Sequence, residues 1–159
     1  MALLLHYRMS KPSGTVIMDE LKIREMEQDG DFAGWFSELV AETEEAAGWG
    51  NPINDRYLVL SNEIGDWIGG LRFSLRGGVA HLLDVAVIAT ERHQGHAHRL
   101  LAAFEERSRE AGAHLAEFWT DQLESEGLLG AMGWQVVLRR PGYIGGRTWV
   151  LMEKGLDSD

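Results

Sequence analysis

The sequence predicts one α/β domain built on a mixed, mostly antiparallel sheet that is covered by helices. Apolar residues recur at helical spacing in three segments, and in the segments between them they alternate or form short apolar runs. The order of these elements is the third observation: strand, helix, three strands, helix, strand, helix and a closing pair of strands. With 159 residues and 45% hydrophobic content, the chain can bury its own core.

The elements follow in order from Leu21. Residues 21–24 alternate apolar and polar side chains, which predicts a first strand, and residues 29–47 predict an amphipathic helix. Three strands joined by hairpin turns are then expected at 57–61, 66–75 and 79–87. The remaining predicted elements are a helix at 94–111 capped by Gly112, a strand at 114–119, a helix at 122–132, and strands at 134–139 and 148–152.

Composition excludes several kinds of site. The chain has no cysteine, so thiolate zinc sites, iron–sulfur clusters, disulfides and cysteine nucleophiles are ruled out. Between Met18 and Asp66 there are 13 acidic and 3 basic residues. This acidic segment argues against a nucleic-acid partner. It indicates either a solvated helix face or a cationic or neutral small partner.

Residues 1–17 are predicted to be an N-terminal extension. They contain a four-residue apolar run (Ala2 to Leu5) without a basic residue before it. A signal peptide or a transmembrane helix needs a longer apolar segment. We therefore expect a cytoplasmic protein with no membrane partner.

The most informative stretch is ERHQGHAHRLL at 91–101, which follows the apolar strand LLDVAV. A helix that opens near Gly95 leaves its first backbone N–H groups without partners, and such an end binds anions. Arg92 would strengthen phosphate binding, and the small residues Gly95 and Ala97 would let a phosphate approach the backbone. The residues alone therefore predict a phosphate-bearing ligand.

Three histidines in this stretch, His93, His96 and His98, pose the alternative of a metal site. Their intervals of three and two residues across a turn do not match a helix-face ligand pair, and Glu91 is the nearest carboxylate. We expect no metal. The histidines are then either solvated surface residues or neighbours of the bound phosphates.

Arg92-His93-Gln94-Gly95-His96-Ala97 resembles the R/Q-x-x-G-x-G/A signature of the GNAT N-acetyltransferases. VAV at 85–87, RLL at 99–101 and Gly133-Trp134 stand where that family has its strand, its helix and its closing glycine–aromatic pair. The resemblance covers about residues 18–155. It implies a GNAT domain at 18–156, a tail at 157–159, and a six- to seven-stranded sheet, splayed at its centre and flanked by about four helices.

The resemblance also implies an activity, which is transfer of acetyl from acetyl-coenzyme A to a primary amine of a small molecule or peptide. The amine would attack directly in a ternary complex, without a metal, and the protein could be a homodimer. The alternative is a GNAT-fold module that binds coenzyme A but has little or no catalytic activity. The coenzyme-binding residues implied by the resemblance are Val85, Ala86, Val87, Arg92, His93, Gln94, Gly95, His96, Ala97, His98 and Arg99, with the N–H of Val87 as the oxyanion donor.

Candidate catalytic residues also come from the resemblance. His81 matches a general-base position on the strand before the loop. Asp84 is a second candidate, although strict alternation places it on the opposite face of the strand unless a bulge intervenes. Leu129 occupies the position where many relatives have a proton-donating tyrosine, so Tyr143 or Tyr57 would have to supply that proton. Further candidate bases are Glu117 and Asp121.

Overall fold

The computed structural model describes residues 21–25, 30–46 and 55–157. The chain divides into two compact units, Met1–Gly50 and Asn51–Asp159. The predicted extension at 1–17 lies outside the described residues. Among the described helices, none is long and apolar enough to cross a membrane.

The first unit contains helix α1, Gly30–Ala46, which confirms the predicted helix at 29–47. Within it, the ring of Phe32 packs against those of Trp35 and Phe36, with centroids 5.7 and 5.9 Å away. The prediction of a strand at 21–24 is wrong, because residues 21–25 have no regular secondary structure. Alternation alone does not make a strand, since backbone N–H and C=O groups need a neighbouring strand to pair with.

The second unit contains one six-stranded sheet with the strand order β1-β2-β3-β4-β6-β5. Only β3 and β4 pair in parallel, and the other four neighbouring pairs are antiparallel. This confirms the predicted mixed, mostly antiparallel sheet. The strands are β1 Asp55–Ser61, β2 Trp67–Arg76, β3 Val79–Val87, β4 Leu115–Thr120, β5 Gln135–Arg140 and β6 Trp149–Gly155.

Two further α-helices cover one face of this sheet, α2 (His96–Glu110) and α3 (Leu123–Ala131). The core between them and the strands contains Phe73 and Met152 from the sheet, and Phe104 and Leu129 from the helices. Phe73 and Phe104 meet edge to face at 5.2 Å between ring centroids. Burial of these large side chains holds α2 and α3 against the strands that bound the site.

The closing pair Gly133-Trp134 ends α3. The N–H of Gly133 donates to the carbonyl of Gly130, and that of Trp134 donates to the carbonyl of Leu129. This is a Schellman motif, which needs a residue in the left-handed conformation, and Gly133 has φ +90°. Trp134 is thereby directed into the core, where its indole N–H donates to the buried carboxylate of Glu105 at 2.8 Å.

Candidate active site

The centre of the sheet is splayed, as expected. Parallel pairing of β3 with β4 runs only from Val79 opposite Leu115 to Leu82 opposite Phe118. At that point β3 has a bulge, because Arg72 of β2 faces Asp84 while its neighbour Phe73 faces Leu82, which leaves Leu83 without a partner. Beyond the bulge, β3 remains paired to β2 but separates from β4.

Backbone groups of Val85 and Val87 point into this splay. The N–H of Ile88 donates to the carbonyl of Ile68, so these two residues form a hydrogen-bonded pair at the end of the β2–β3 ladder. Hydrogen-bonded and non-hydrogen-bonded pairs alternate in an antiparallel ladder. Val87 opposite Gly69 and Val85 opposite Leu71 are therefore non-hydrogen-bonded pairs, and their N–H and C=O groups face away from β2.

The loop after β3 reaches α2 through two left-handed residues. His93 has φ +62° and Gly95, the N-cap of α2, has φ +81°. Within the described part of the chain, no backbone amide from 93 to 98 donates to a carbonyl or to a side chain. This is a row of free donors at the positive end of a 15-residue helix, and such an arrangement can bind a phosphate.

The predicted set of coenzyme-binding residues included Arg99, but the backbone amide of Arg99 is not available for binding. It donates to the carbonyl of Gly95 at 3.1 Å. Arg99 is the fourth residue of α2 after its N-cap, where the regular helical hydrogen bonds begin. The free amides of this helix therefore end at His98.

Arg92 ties the loop to the strand. Its Nε donates to the carbonyl of Val87 at 3.1 Å, so the last outward-facing carbonyl of β3 is already hydrogen-bonded. Arg92 also lines the cleft beside the free amides. A guanidinium has five N–H donors, so one bond to Val87 leaves others for an anion.

A cleft of about 480 Å³ occupies the splay. One wall is 85–87 of β3, the next is the loop and first turn of α2, and the third is α3 with Gln122, Ser125 and Leu128. Of the eleven residues predicted to bind coenzyme, nine line this cleft, whereas Gln94 and Arg99 do not. Sequence reasoning missed Ser125 and Leu128, because only the fold brings α3 opposite β3.

The three histidines of the loop line the cleft but do not converge on one point. His96 lies 3.4 Å from Glu91, and His93 lies 3.7 Å from Glu124 on the exposed rim. Across the described residues, no group of three or more histidines and carboxylates could hold a metal ion.

The bulge at Leu83 brings His81 and Asp84 to the same face of the sheet. Their partners Ser74 and Arg72 lie two residues apart on β2, and paired residues project to one side. Strict alternation, which placed Asp84 on the opposite face, is therefore corrected by the extra residue. This face is opposite to the one that α2 covers.

Each of the two candidate bases has an ionisable neighbour. The Nδ1 of His81 lies 3.4 Å from the carboxylate of Glu117, which faces it across β4. Arg72 donates from Nε to Oδ2 of Asp84 at 2.8 Å, its Nη2 lies 2.7 Å from the same oxygen, and its Nη1 lies 3.1 Å from Asp55. The hydrogen bond that Arg72 donates to Asp84 is the chief cause that raises the pKa of its guanidinium, so this residue stays charged.

The tyrosine candidates lie in different places. Tyr143 packs against Trp119, with ring centroids 5.6 Å apart, and lies under the guanidinium of Arg140. It does not line the cleft, whereas Tyr57 lines a second hollow on the face that carries Asp84. Leu129 is 1% exposed and packs in the core. Asp121, just after β4, forms an ion pair with Arg147.

Comparison with solved structures gives the fold of the chain. An Agrobacterium tumefaciens protein provisionally classed as an acetyltransferase superposes with a TM-score of 0.71 at 20% identity, covering 86% of this chain and 99% of that one. An acetyltransferase from Bacillus cereus ATCC 14579 gives a TM-score of 0.66 at 18% identity, with 83% and 97% covered. The ribosomal-protein-S18-alanine N-acetyltransferase of Escherichia coli gives 0.60 at 17%, with 74% and 78% covered. These likenesses show an acetyltransferase fold.

The sequence gives the family itself. The model of the acetyltransferase (GNAT) family matches residues 20–134, so this chain belongs to that family and is an acetyltransferase. No curated protein matches the chain significantly. Membership implies that acetyl-coenzyme A is the co-substrate.

Proposed function

We propose that this protein moves acetyl from acetyl-coenzyme A to a primary amine by direct attack in a ternary complex. The observation that carries the proposal is the splay, where outward-facing backbone groups of Val85 and Val87 lie next to the free amides of 93–98. One cleft thus contains both hydrogen-bond donors for a pyrophosphate and a free strand edge that can pair with an amide-rich arm. This is the chemistry that coenzyme A requires.

The proposed roles follow from these donors. The amides of 93–98 bind the pyrophosphate, and the cationic Arg92 adds a charge-assisted contact. The N–H groups of Val85 and Val87 and the carbonyl of Val85 bond to the pantetheine arm as an added strand would, since Arg92 already donates to the carbonyl of Val87. One of their N–H groups polarises the thioester carbonyl, and a donor of that kind contributes about 10²–10³ in rate.

In the reaction, the amine nitrogen attacks the thioester carbon, and the carbonyl oxygen becomes an oxyanion. The intermediate then collapses, the C–S bond breaks, and coenzyme A leaves as a thiolate. The acceptor enters as an ammonium, and its nitrogen loses two protons: one to a base before attack, and one as the intermediate collapses, which balances the proton that the thiolate takes up. The products are an N-acetylated amine, coenzyme A and a proton.

His81 is the proposed base, and Glu117 orients it. A carboxylate at Nδ1 directs Nε2 outward as the proton acceptor, and here the carboxylate is 3.4 Å away. Four residue steps separate His81 from Val85, roughly 13 Å along the backbone, so a chain of bound waters must relay the proton. Val87 lies two residues further. Because Val85 is nearer to His81 than Val87 is, we favour the amide of Val85 as the oxyanion donor. The resemblance implies the amide of Val87.

Asp84 is suited to another role. Arg72 occupies only Oδ2, and within the described residues nothing donates to Oδ1. Oδ1 is therefore open to accept a hydrogen bond from the incoming ammonium, and Asp84 orients the acceptor.

The leaving thiolate needs no dedicated acid. Leu129 cannot donate a proton, and Tyr143 lies outside the cleft wall. A thiol has an ordinary pKa of about 8.5, so a thiolate can depart near neutral pH and take its proton from water. The second candidate function, a coenzyme-binding module with little activity, is favoured by this one observation at Leu129.

Two measurements test the proposal. Acetyl-coenzyme A at 100 times its Kd should stabilise the protein by about 2.7 kcal/mol in a thermal-shift assay. Because the chain has no cysteine, a thiol reagent reports only the coenzyme A that is released when a panel of primary amines is added. No shift would contradict the proposal, and a shift without thiol release from any amine would favour the binding module.

A further inference from the structure

A second hollow, of about 560 Å³, lies on the face of the sheet that carries Asp84. We call it the β1–β3 hollow. The residues that define it are Tyr57, Val59, Trp67, Gly70, Asp84 and Ala86.

The floor of the β1–β3 hollow is low because its central residues are small. Val59 on β1 faces Gly70 on β2, and Gly70 faces Ala86 on β3. In this row only a hydrogen atom projects from Gly70 and only a methyl group from Ala86. Gly70 has an ordinary backbone, and a Cβ placed there would meet only the carbonyl of Leu58, at 3.3 Å. The space above Gly70 therefore exists because a side chain is absent.

The walls are apolar and aromatic. Trp67 is 80% exposed and Tyr57 is 65% exposed, although both are large rings. Rings that flank an open hollow provide flat apolar surfaces on which a ligand can stack. The polar group at one end is Asp84 with its free Oδ1. With Arg72 and Asp55 it forms a triad of net charge −1, which complements a cation.

The β1–β3 hollow adjoins the coenzyme cleft. Ala86 lines both cavities, and its neighbours on β3 are Val85 and Val87, whose backbone groups face the splay. A molecule in the hollow can thus present an amine at the edge of β3 from the face opposite to α2. Asp84 lies two residues before Ala86 on this same face.

We propose that the β1–β3 hollow binds the acceptor, and that the acceptor is a primary amine carrying an aromatic ring. The ring stacks between Tyr57 and Trp67 over Gly70, and the ammonium pairs with Oδ1 of Asp84. This inference rests on the proposed function for its chemistry. A polyamine would need several anions along its length, whereas the hollow offers one.

Equilibrium binding tests the acceptor class without needing turnover. We would titrate 2-phenylethylamine and ethylamine, which differ only in the phenyl ring, into the protein by calorimetry, with and without coenzyme A. We expect the ring to tighten binding at least about tenfold. Equal affinities, or tighter binding of spermidine or of a short peptide with a free N-terminus, would overturn the inference.

The Val59→Trp variant locates the effect. Val59 is 60% exposed on an edge strand, so an indole is accommodated there and projects into the hollow. The tighter binding of 2-phenylethylamine relative to ethylamine (the ring advantage) should disappear, while the thermal shift with acetyl-coenzyme A, which binds in the other cleft, stays unchanged. The control is Val137→Trp, since Val137 is 52% exposed on the opposite edge strand, β5.

A ring advantage that survives Val59→Trp would contradict the location. A second variant, Trp67→Ala, should reduce the ring advantage about three- to tenfold without unfolding the protein, because Trp67 is largely exposed. Different results would contradict the proposed function: no thermal shift with acetyl-coenzyme A, or no release of coenzyme A with any amine.

Discussion

The Nε of Arg92 donates a 3.1 Å hydrogen bond to the carbonyl of Val87, and this bond joins the phosphate-type loop to the end of the splayed strand. Arg92 thus has two roles. It places a positive charge beside the free amides, and it fixes the orientation of Val87, the last residue of β3. Side-chain replacement can separate them, because lysine keeps the charge but lacks the planar fork of donors.

We expect Arg92→Lys to retain most of the affinity for acetyl-coenzyme A and to lower kcat about three- to tenfold, the effect of one lost hydrogen bond. Arg92→Gln should in addition raise the Kd for acetyl-coenzyme A. Steady-state kinetics with calorimetric Kd values measures both quantities. Identical effects of the two variants would show that Arg92 acts through a single property.

Gly95 tests the helix start. With φ +81° it has a conformation that costs a β-branched residue about 1–2 kcal/mol or more, so Gly95→Val should distort the row of amides. We expect acetyl-coenzyme A to bind at least tenfold more weakly in a thermal-shift titration. Gly127→Ala is the matched control, since a Cβ at this helical glycine meets nothing within 4 Å and its affinity should be unchanged.

His81 and Glu117 test the base. Loss of a general base lowers rates about 10²–10⁴-fold, and we expect His81→Ala to lower kcat within that range at an unchanged Kd for acetyl-coenzyme A. Glu117→Gln should lower kcat by a smaller factor. An unchanged kcat in His81→Ala would exclude this residue as the base.

Glu105 is a structural counterpart to these site residues. Its buried carboxylate accepts 2.8 Å bonds from both the indole of Trp134 and the Nζ of Lys154. Breaking a buried pair leaves the partner charge uncompensated, so Glu105→Gln should lower the free energy of unfolding by about 3 kcal/mol in urea denaturation. Glu110→Gln breaks the exposed pair with Arg107 and should change it by less than about 1 kcal/mol.

Local patterns were enough to predict the elements of the second unit. The alternation in VAHLLDVAV predicts a strand at 79–87, and the structure has β3 at Val79–Val87. The helix start at Gly95 and the cap at Gly112 were likewise predictable, because turn and cap residues act within a few positions.

Pairing partners could not be predicted in this way. The face of Asp84 depends on a bulge that is visible only in the register of β3 against β2. Glu105 bonds to residues 29 and 49 positions away, and no short window contains that information. Residues 21–24 have the alternation of a strand but form none, since pairing and not pattern makes a strand.

The central claim is that acetyl-coenzyme A binds in the splay, with its phosphates on the amides of 93–98 and its arm along Val85 and Val87. Amide chemical shifts of the ¹⁵N-labelled protein during titration with coenzyme A measure this directly. We predict large shifts for those amides and small ones for Arg107 at the far end of α2. Shifts confined to residues outside the cleft, with the amides of 93–98 unmoved at saturation, would contradict the claim.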